Sequence, residues 1–379
     1  MPRTDVVVEC RVPDSFRVQQ VAGMFDVPLG AKCTQRFAVD LPGRDEPWDV
    51  GLIVGPSGSG KSSVARQAFA DCLYGAAEWP VDRAVVDAFG PTPLRQIVAL
   101  LTAVGFGSPP SWVKPYRVLS CGEQFRCDLA RALSVAWNAG GATADNAADD
   151  GPPPAALQRP LVAFDEFTSV VDRRVARACS MAIAKGVRSG AIPVRFVAVT
   201  CHYDVAEWLE ADWVLDMAGA QLHRRRLRRP GIEVEIRRCT HRAWPLFARH
   251  HYLSGSLAPG ARCYLATWDG EPVTFCATLP LVARRRHRRF TRIVTLPDYQ
   301  GMGVGMRGVA AVAPLHRAAG LRASATSTPP APIRHCRRGR PWRPPRVRKA
   351  GAQSRSRGRF AAYRAAAGRS VASFEYVGP

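Results

Sequence analysis

Lysine is the scarcest charged residue in this sequence: 53 Lys and Arg stand among 379 residues, and only five of them are lysines. No apolar run approaches the roughly 18–20 residues that a membrane-spanning helix needs, so no such helix is expected. No apolar stretch follows Met1-Pro2-Arg3-Thr4-Asp5, and no secretory signal is expected either. Eleven cysteines are present, but none stand as C-x-x-C. Scattered singly, they read as reduced, mostly buried thiols and offer no zinc-ligand spacing. The expected compartment is the cytoplasm. Acidic residues are also short in one half. Residues 1–222 carry 21 Lys and Arg against 25 Asp and Glu, whereas residues 223–379 carry 32 against 6, within a net charge of +22. A basic block of that size fits a polyanionic partner such as nucleic acid.

The most informative stretch is Gly55-Pro56-Ser57-Gly58-Ser59-Gly60-Lys61-Ser62-Ser63, which follows the apolar run Val50–Val54 and precedes a helix-like segment from Val64. A strand entering a glycine-rich turn and then a helix is the setting a phosphate-binding loop requires. The glycines let backbone N–H groups close around phosphate oxygens, and the helix N-terminus adds partial positive charge. Lys61 supplies a point charge to the terminal phosphates, and the Ser62 hydroxyl can sit on Mg²⁺. A plain connecting turn does not need all nine residues. A nucleoside triphosphate is the expected ligand.

Before this loop, Val6–Val12 and Lys32–Val39 alternate as strands of a small antiparallel lead-in sheet. Phe25 and Trp48 are each either a ring for stacking on adenine or a buried aromatic. After it, Arg83–Phe89 has the length and apolarity of a strand, Pro93–Val104 has helical periodicity, and Gln96, about where a metal-sensing glutamine would stand, reads rather as a solvated helix-face residue. Leu119-Ser120-Cys121-Gly122-Glu123-Gln124 opens the next helix. Ser120 and Gly122 there offer a hydroxyl and backbone N–H groups to a γ-phosphate, while Ser120 and Glu123 also fit a capping box. Residues 138–160, nearly free of large apolar side chains, read as a flexible acidic insertion. Leu161–Phe164 returns as a buried strand ending in Asp165 and Glu166. There Asp165 can hold Mg²⁺ through water, and Glu166 can orient or deprotonate the attacking water. Asp172 precedes another helix, and the strand Val194–Thr200 delivers His202 to the ligand edge of such a sheet, within reach of a γ-phosphate.

The run Arg224–Pro230 marks a change of composition. Beyond it come strand-like alternation at Ile232–Ile236, a short helix at Ala243–His251, and the strands Cys263–Trp268 and Val273–Leu279 about an Asp269-Gly270-Glu271 turn. His250-His251-Tyr252-Leu253-Ser254 is either a substrate-facing group or a hydrophilic helix end. Thr291–Gly305 is a second strand, glycine loop and helix, in which Gln300-Gly301-x-Gly303-x-Gly305 offers N–H groups to a pyrophosphate. Ser327–Phe360, rich in Pro and Arg, is either a disordered basic arm or a distorted part of the fold, and Ser370–Val377 reads as a final strand.

In order along the chain, Gly55–Ser63, Leu119–Gln124, Phe164-Asp165-Glu166, Val171-Asp172 and His202 resemble the phosphate loop, signature, acidic strand end, D-loop and switch histidine of ABC-type ATPases. Cys121 departs from the glycine usual in that signature. Val294–Gly305 resembles motif A of GNAT-type acyltransferases, which implies that Gln300, Gly301, Gly303 and Gly305 hold the pyrophosphate of acetyl-CoA with Val294 and Leu296 beside its pantetheine arm. The implied fold class is α/β: an ABC-type ATP-binding domain at 1–222, a basic linker at 223–231 and a smaller GNAT-like domain at 232–379, with the Arg/Pro-rich segment at 327–360. The resemblance also implies ATP, Mg²⁺ and acetyl-CoA as ligands. It further implies a head-to-tail homodimer in which Ser120 and Gly122 act on ATP held by the partner's Lys61. The alternative is an ATP-gated nucleic-acid clamp whose acyltransferase fold only binds.

Overall fold

A computed structural model describes residues 3–30, 32–75, 78–140, 159–224, 231–251, 255–281, 284–327, 333, 335–337, 341–349 and 370–378. Most of the acidic insertion and the basic linker, much of the Arg/Pro-rich segment, and Tyr252–Ser254 lie outside the described residues. The elements run β1 (Arg3–Arg11), α1 (Phe16–Phe25), β2 (Lys32–Asp40), β3 (Val50–Val54), α2 (Lys61–Ala68), β4 (Leu73–Tyr74), α3 (Leu94–Ala103), α4 (Pro109–Trp112), α5 (Cys121–Ala139), β5 (Leu161–Phe164), α6 (Arg173–Arg188), β6 (Arg195–Thr200), α7 (Val205–Leu209), β7 (Trp213–Asp216) and β8 (Gln221–His223). They continue with β9 (Glu235–Cys239), α8 (Trp244–Ala248), β10 (Arg262–Trp268), β11 (Glu271–Pro280), β12 (His287–Thr295), α9 (Val304–Ala318), β13 (Arg322–Ser327), β14 (Trp342–Lys349) and β15 (Ser370–Tyr376). The contacts divide into two compact units: Met1–Glu78 with Arg131–Val171 and Gly186–Arg229, and Trp79–Ala130 with Asp172–Lys185 and Pro230–Pro379.

The first unit is built on a sheet of order β4-β5-β6-β3-β7-β8, parallel except at β8. β3 lies inside it and is buried along its whole length, as a continuous apolar run in a parallel sheet should be. A side chain at Gly51 would overlap the Trp213 ring, which lies edge-on to Trp48 at 5.5 Å. Asp212 accepts from the N–H groups of Asp49 and Val50, both at 2.9 Å, and fixes where β3 begins. β1 and β2 pair antiparallel as expected, in a separate two-stranded sheet, with the helix α1 between them. That helix starts at a Ser15 cap whose hydroxyl accepts from Val18 N–H. Of the two aromatics left open, Trp48 is buried in the core and Phe25 is exposed.

The second unit holds a sheet of order β14-β15-β13-β12-β11-β10-β9, antiparallel except for the β12–β13 pair. A bulge leaves Thr291 and Arg292 crowded on β12 where β11 passes from Ala277 to Thr278. β12 and β13 pair only from His287 to Phe290 and from Arg322 to Ala325, and the two strands part beyond that. α9 packs on one face, where Val309, Val312 and Ala313 join Phe290, Ala325 and Phe374. α8 packs on the other through Trp244 and Phe247 against Phe275 and Val294.

Two expectations fail here. Val85–Ala88 is a single 3₁₀ turn, held by Val85 N–H to Lys114 O, and not a strand. Gln96 is buried, 2% exposed, and not a solvated face residue. Within the Arg/Pro-rich segment, 342–349 forms the edge strand β14, and Pro344 and Pro345 fall where its register with β15 breaks. An edge and a break are where residues without an N–H are tolerated. The same unit takes in residues 79–130 and 172–185, whose sequence had grouped them with the first half. Among the described residues no helix is long and apolar enough to cross a membrane.

Candidate functional site

In the first unit, the chain leaves β3 and turns through Gly58 (φ +80°) and Gly60 (φ +88°), conformations that favour glycine, and Gly60 caps α2. A Cβ at Gly60 would also run into the Phe37 ring of β2. Lys61 is 9% exposed and its ammonium donates to Pro56 O at 2.8 Å, so the charge is held inside the turn of the loop. Ser59 Oγ is buried with no hydrogen-bond partner among the described residues, an orphaned donor within a loop of backbone donors.

β5 ends beside this loop. Ser62 Oγ donates to Asp165 Oδ1 at 3.1 Å, joining two residues 103 positions apart, and the same oxygen accepts from Glu166 N–H at 2.9 Å. Glu166 is exposed, and both it (φ +52°) and Thr168 (φ +68°) hold left-handed backbone. Such conformations are costly for residues with a Cβ and persist where surrounding structure imposes them. Phe167, wholly buried between them, anchors the turn by donating its N–H to Val199 O at 2.8 Å. His202 lies past β6, its Nδ1 3.4 Å from both Thr168 Oγ1 and Thr200 Oγ1, and its N–H donates to Thr200 Oγ1 at 3.2 Å. Sequence reasoning missed both threonines. Their signal was faint: each stands two residues beyond or before a residue already singled out.

In the second unit, Ser120 and Glu123 form the capping box at the start of α5. Ser120 N–H donates to Glu123 Oε2 at 3.1 Å, and Glu123 N–H to Ser120 Oγ at 3.4 Å. Gly122 lies in the first turn, its carbonyl accepting from Arg126. Asp172 caps α6 by accepting from Arg174 and Val175 N–H at 2.8 and 3.0 Å. Asp128 accepts from Trp79 Nε1 at 2.6 Å and Tyr116 Oη at 2.8 Å, and those two rings stack on each other.

The second glycine loop repeats the geometry of the first. Gly301 (φ +85°) and Gly303 (φ +88°) are left-handed, and Gly303 caps α9 with the same φ and ψ as Gly60 at α2. Gly305 has another reason to be glycine: a Cβ there would sit 2.7 Å from Thr295 Oγ1, so its absence lets α9 close on β12. The Gln300 side chain is a brace, donating to Thr295 O at 3.1 Å and accepting from Gly107 N–H at 2.7 Å. Val294 faces the α8 core, and Leu296 stands just past the end of β12. Lys185, on α6, was not foreseen. It donates to Met302 O at 3.4 Å, and a Cβ at Gly303 would lie 2.6 Å from its ammonium. His250 follows α8, where burial and Arg249 push its pKa down.

Among the described residues no group of three or more His, Cys, Asp or Glu is placed to hold a metal ion. Burial pushes the thiols of Cys72 and Cys239 up to about 11, so neither is a thiolate at neutral pH.

Residues 227–332 match the model of the acetyltransferase (GNAT) family. No curated protein matches the chain. Among solved structures, the chain is similar to a GNAT family acetyltransferase from Elizabethkingia anophelis with acetyl-CoA bound, at 11% identity over 38% of this chain and 97% of that one, TM-score 0.29. It is similar to IAA acetyltransferase from Bacillus cereus, at 12% identity over 38% and 99%, TM-score 0.28. It is also similar to a dimeric ATP-binding cassette bound to ADP and Pi, at 15% identity over 48% and 87%, TM-score 0.34. All three TM-scores are below 0.5, and the chemistry below stands on this chain's own residues. The fold class is α/β, with a phosphate-loop sheet followed by a GNAT-type region.

Proposed function

We propose that the chain is an ABC-type, Mg²⁺-dependent ATPase at 1–222, joined through the basic linker at 223–231 to a GNAT-type acyl-CoA-dependent N-acyltransferase at 232–379. The hydrogen bond from Ser62 to Asp165 carries the ATPase reading. It brings together a hydroxyl that would hold Mg²⁺ directly and a carboxylate that would hold it through water, both hard oxygens of the kind that ion takes. Bound there, the ion would supply charge stabilisation to the phosphates. Lys61 neutralises the terminal phosphates, and the orphaned Ser59 hydroxyl and loop N–H groups cradle them. Glu166 orients and deprotonates the attacking water. Glu166 is exposed, so its carboxylate can meet a solvent water. His202, steadied by Thr168 and Thr200, hydrogen-bonds the γ-phosphate. Ser120 and Gly122 complete the site from a second copy, making the active ATPase a homodimer.

For the second half, the loop 300–305 holds the pyrophosphate of acetyl-CoA on the first-turn N–H groups of α9, which have no acceptor within their own helix. Lys185 adds a cation beside them. The partner of the basic half is nucleic acid, or a protein bound to it. The test is nucleoside mass spectrometry on DNA and tRNA incubated with the protein, ATP and acetyl-CoA, with Gly301→Trp as control. A mass shift needing both ligands and an intact Gly301 supports the reading, while no shift and no acetyl-CoA binding removes acyl transfer. One observation favours the ATP-gated clamp as a second reading. The loop packs against Gly105 and Ala182, and Gln300 is spent bracing Gly107, as in a loop used for docking.

A further inference from the structure

The strands β12 to β15 divide their side chains by alternation. Phe290, Ala323, Ala325, Ala372 and Phe374 enter the core under α9. Their neighbours on the opposite face are Arg289, Arg322, Ser324, Ser373 and Glu375, and these line a cavity of about 520 Å³ together with Arg284, His287 and Arg343. α8 covers that face only as far as β12. The cavity therefore holds four guanidinium groups and one carboxylate. The carboxylate is committed: Glu375 accepts from Arg322 at 2.6 and 2.8 Å. Arg284, Arg289 and Arg343 are exposed at its margin. His287 is 4% exposed, bonded through Nε2 to Ser324 Oγ at 2.8 Å, and its buried Nδ1 has no partner among the described residues. Burial and the neighbouring Arg322 lower its pKa, so the ring is neutral at pH 7 and Nδ1 can accept or donate according to tautomer.

We propose that this cleft is a binding site for nucleotide phosphates, with Arg284, Arg289 and Arg343 on phosphate oxygens and His287 Nδ1 on a polar group of the same ligand. The planar guanidinium fork suits phosphate oxygens, and its weak hydration suits a partly enclosed site. Arg289 lies on β12 and Arg343 on β14, three strand spacings or about 14 Å apart, more than one phosphate spans. A nucleic-acid strand is therefore the favoured source over a free nucleotide. The proposal deepens the nucleic-acid reading above and rests on it.

The test is fluorescence anisotropy of a labelled single-stranded oligonucleotide with the full chain across a salt series. An Arg289→Ala/Arg343→Ala double variant is compared with Arg95→Ala, an exposed arginine of α3. The double variant is expected to weaken binding about 10- to 100-fold and to lower the slope of log K against log salt by roughly 0.7 per lost contact. Arg95→Ala should leave both unchanged. Once the double variant has lost binding, AMP displacing the oligonucleotide at equal phosphate concentration assigns the cleft free nucleotides, and failure of AMP to do so assigns it a strand. Wild-type binding by the double variant overturns the cleft and leaves the nucleic-acid reading intact. No binding of oligonucleotide or AMP by the wild-type chain overturns both. Acetyl-CoA and ATP affinities, measured alongside, report whether the variants are folded.

Discussion

The two glycine loops share one backbone device and differ in everything around it. Gly60 and Gly303 cap their helices with the same left-handed φ and ψ, so each turns a strand into a ring of N–H donors aimed one way. The first loop carries its own cation, Lys61, and faces its own carboxylates, Asp165 and Glu166. The second has Val304 where the first has Lys61, and draws a cation from Lys185 far along the chain. The lesson is that backbone geometry makes an anion site, while the side chains beside it decide whether the anion is held or cleaved.

The largest expected effect comes from removing the carboxylate proposed to activate water. Glu166→Gln should lower phosphate release by at least about 100-fold, the contribution of a general base, while ATP stays bound and acetyl-CoA affinity is unchanged. Phosphate release with filter-retained nucleotide measures this, and undiminished turnover would take Glu166 out of the mechanism. Next is Gly303→Ala. Its left-handed backbone costs about 1–2 kcal/mol with a Cβ, and that Cβ meets the Lys185 ammonium. Acetyl-CoA affinity by calorimetry should fall roughly ten-fold, consistent with that cost, with ATP affinity intact; Gly60→Ala should do the reverse. If either variant weakens both ligands, the two loops are not independent sites.

Thr200→Val should act more gently. It removes the hydroxyl that meets His202 at both its Nδ1 and its backbone N–H; the contact at the ring is worth about 1 kcal/mol, and turnover is expected to drop roughly five-fold with ATP affinity held. An equal loss in affinity would mean that Thr200 supports the sheet and not the histidine. The last difference is in acid. Burial, with Arg288 and Arg262 adding to it, holds His316 at about 4, whereas a free imidazole titrates near 6.5. Between those values the unfolded chain takes a proton that the folded chain refuses. Stability of the second unit should therefore be full above pH 6.5 and fall as pH drops toward 4. Urea unfolding at pH 7 and pH 5 checks this, and His316→Gln should lose more of the pH dependence than of the unfolding signal.

The turns of both loops were legible because Gly58, Gly60, Gly301 and Gly303 answer a local requirement, a left-handed backbone, that the chain must meet wherever it folds. Asp165 and Glu166 were legible for a related reason, standing where a buried strand runs out. The misses have tertiary causes. Thr168 and Thr200 matter only because β5 and β6 are neighbours, which no spacing states. Val85–Ala88 has a strand's composition but no partner strand among the described residues, where the isolated bridge from Ala84 to Pro115 stands beside it. Helix α1 went unread because Phe16, Met24 and Phe25 are exposed, so its apolar residues trace no buried stripe. β14 was obscured by its prolines, which an edge tolerates and a central strand does not. Lys185 stands in a helix whose sequence says nothing of the loop it reaches.

The parting of β12 from β13 past Phe290 has a consequence of a different kind. From Thr291 to Thr295 the edge of β12 runs about 13 Å with no ladder partner on β13. Such an opening is a ruler graduated in amides. Side chains answer part of it, since Arg292 donates to Thr291 O and Gln300 to Thr295 O. An extended backbone would match the spacing of an edge strand interrupted in this way, where a chain without amides would not.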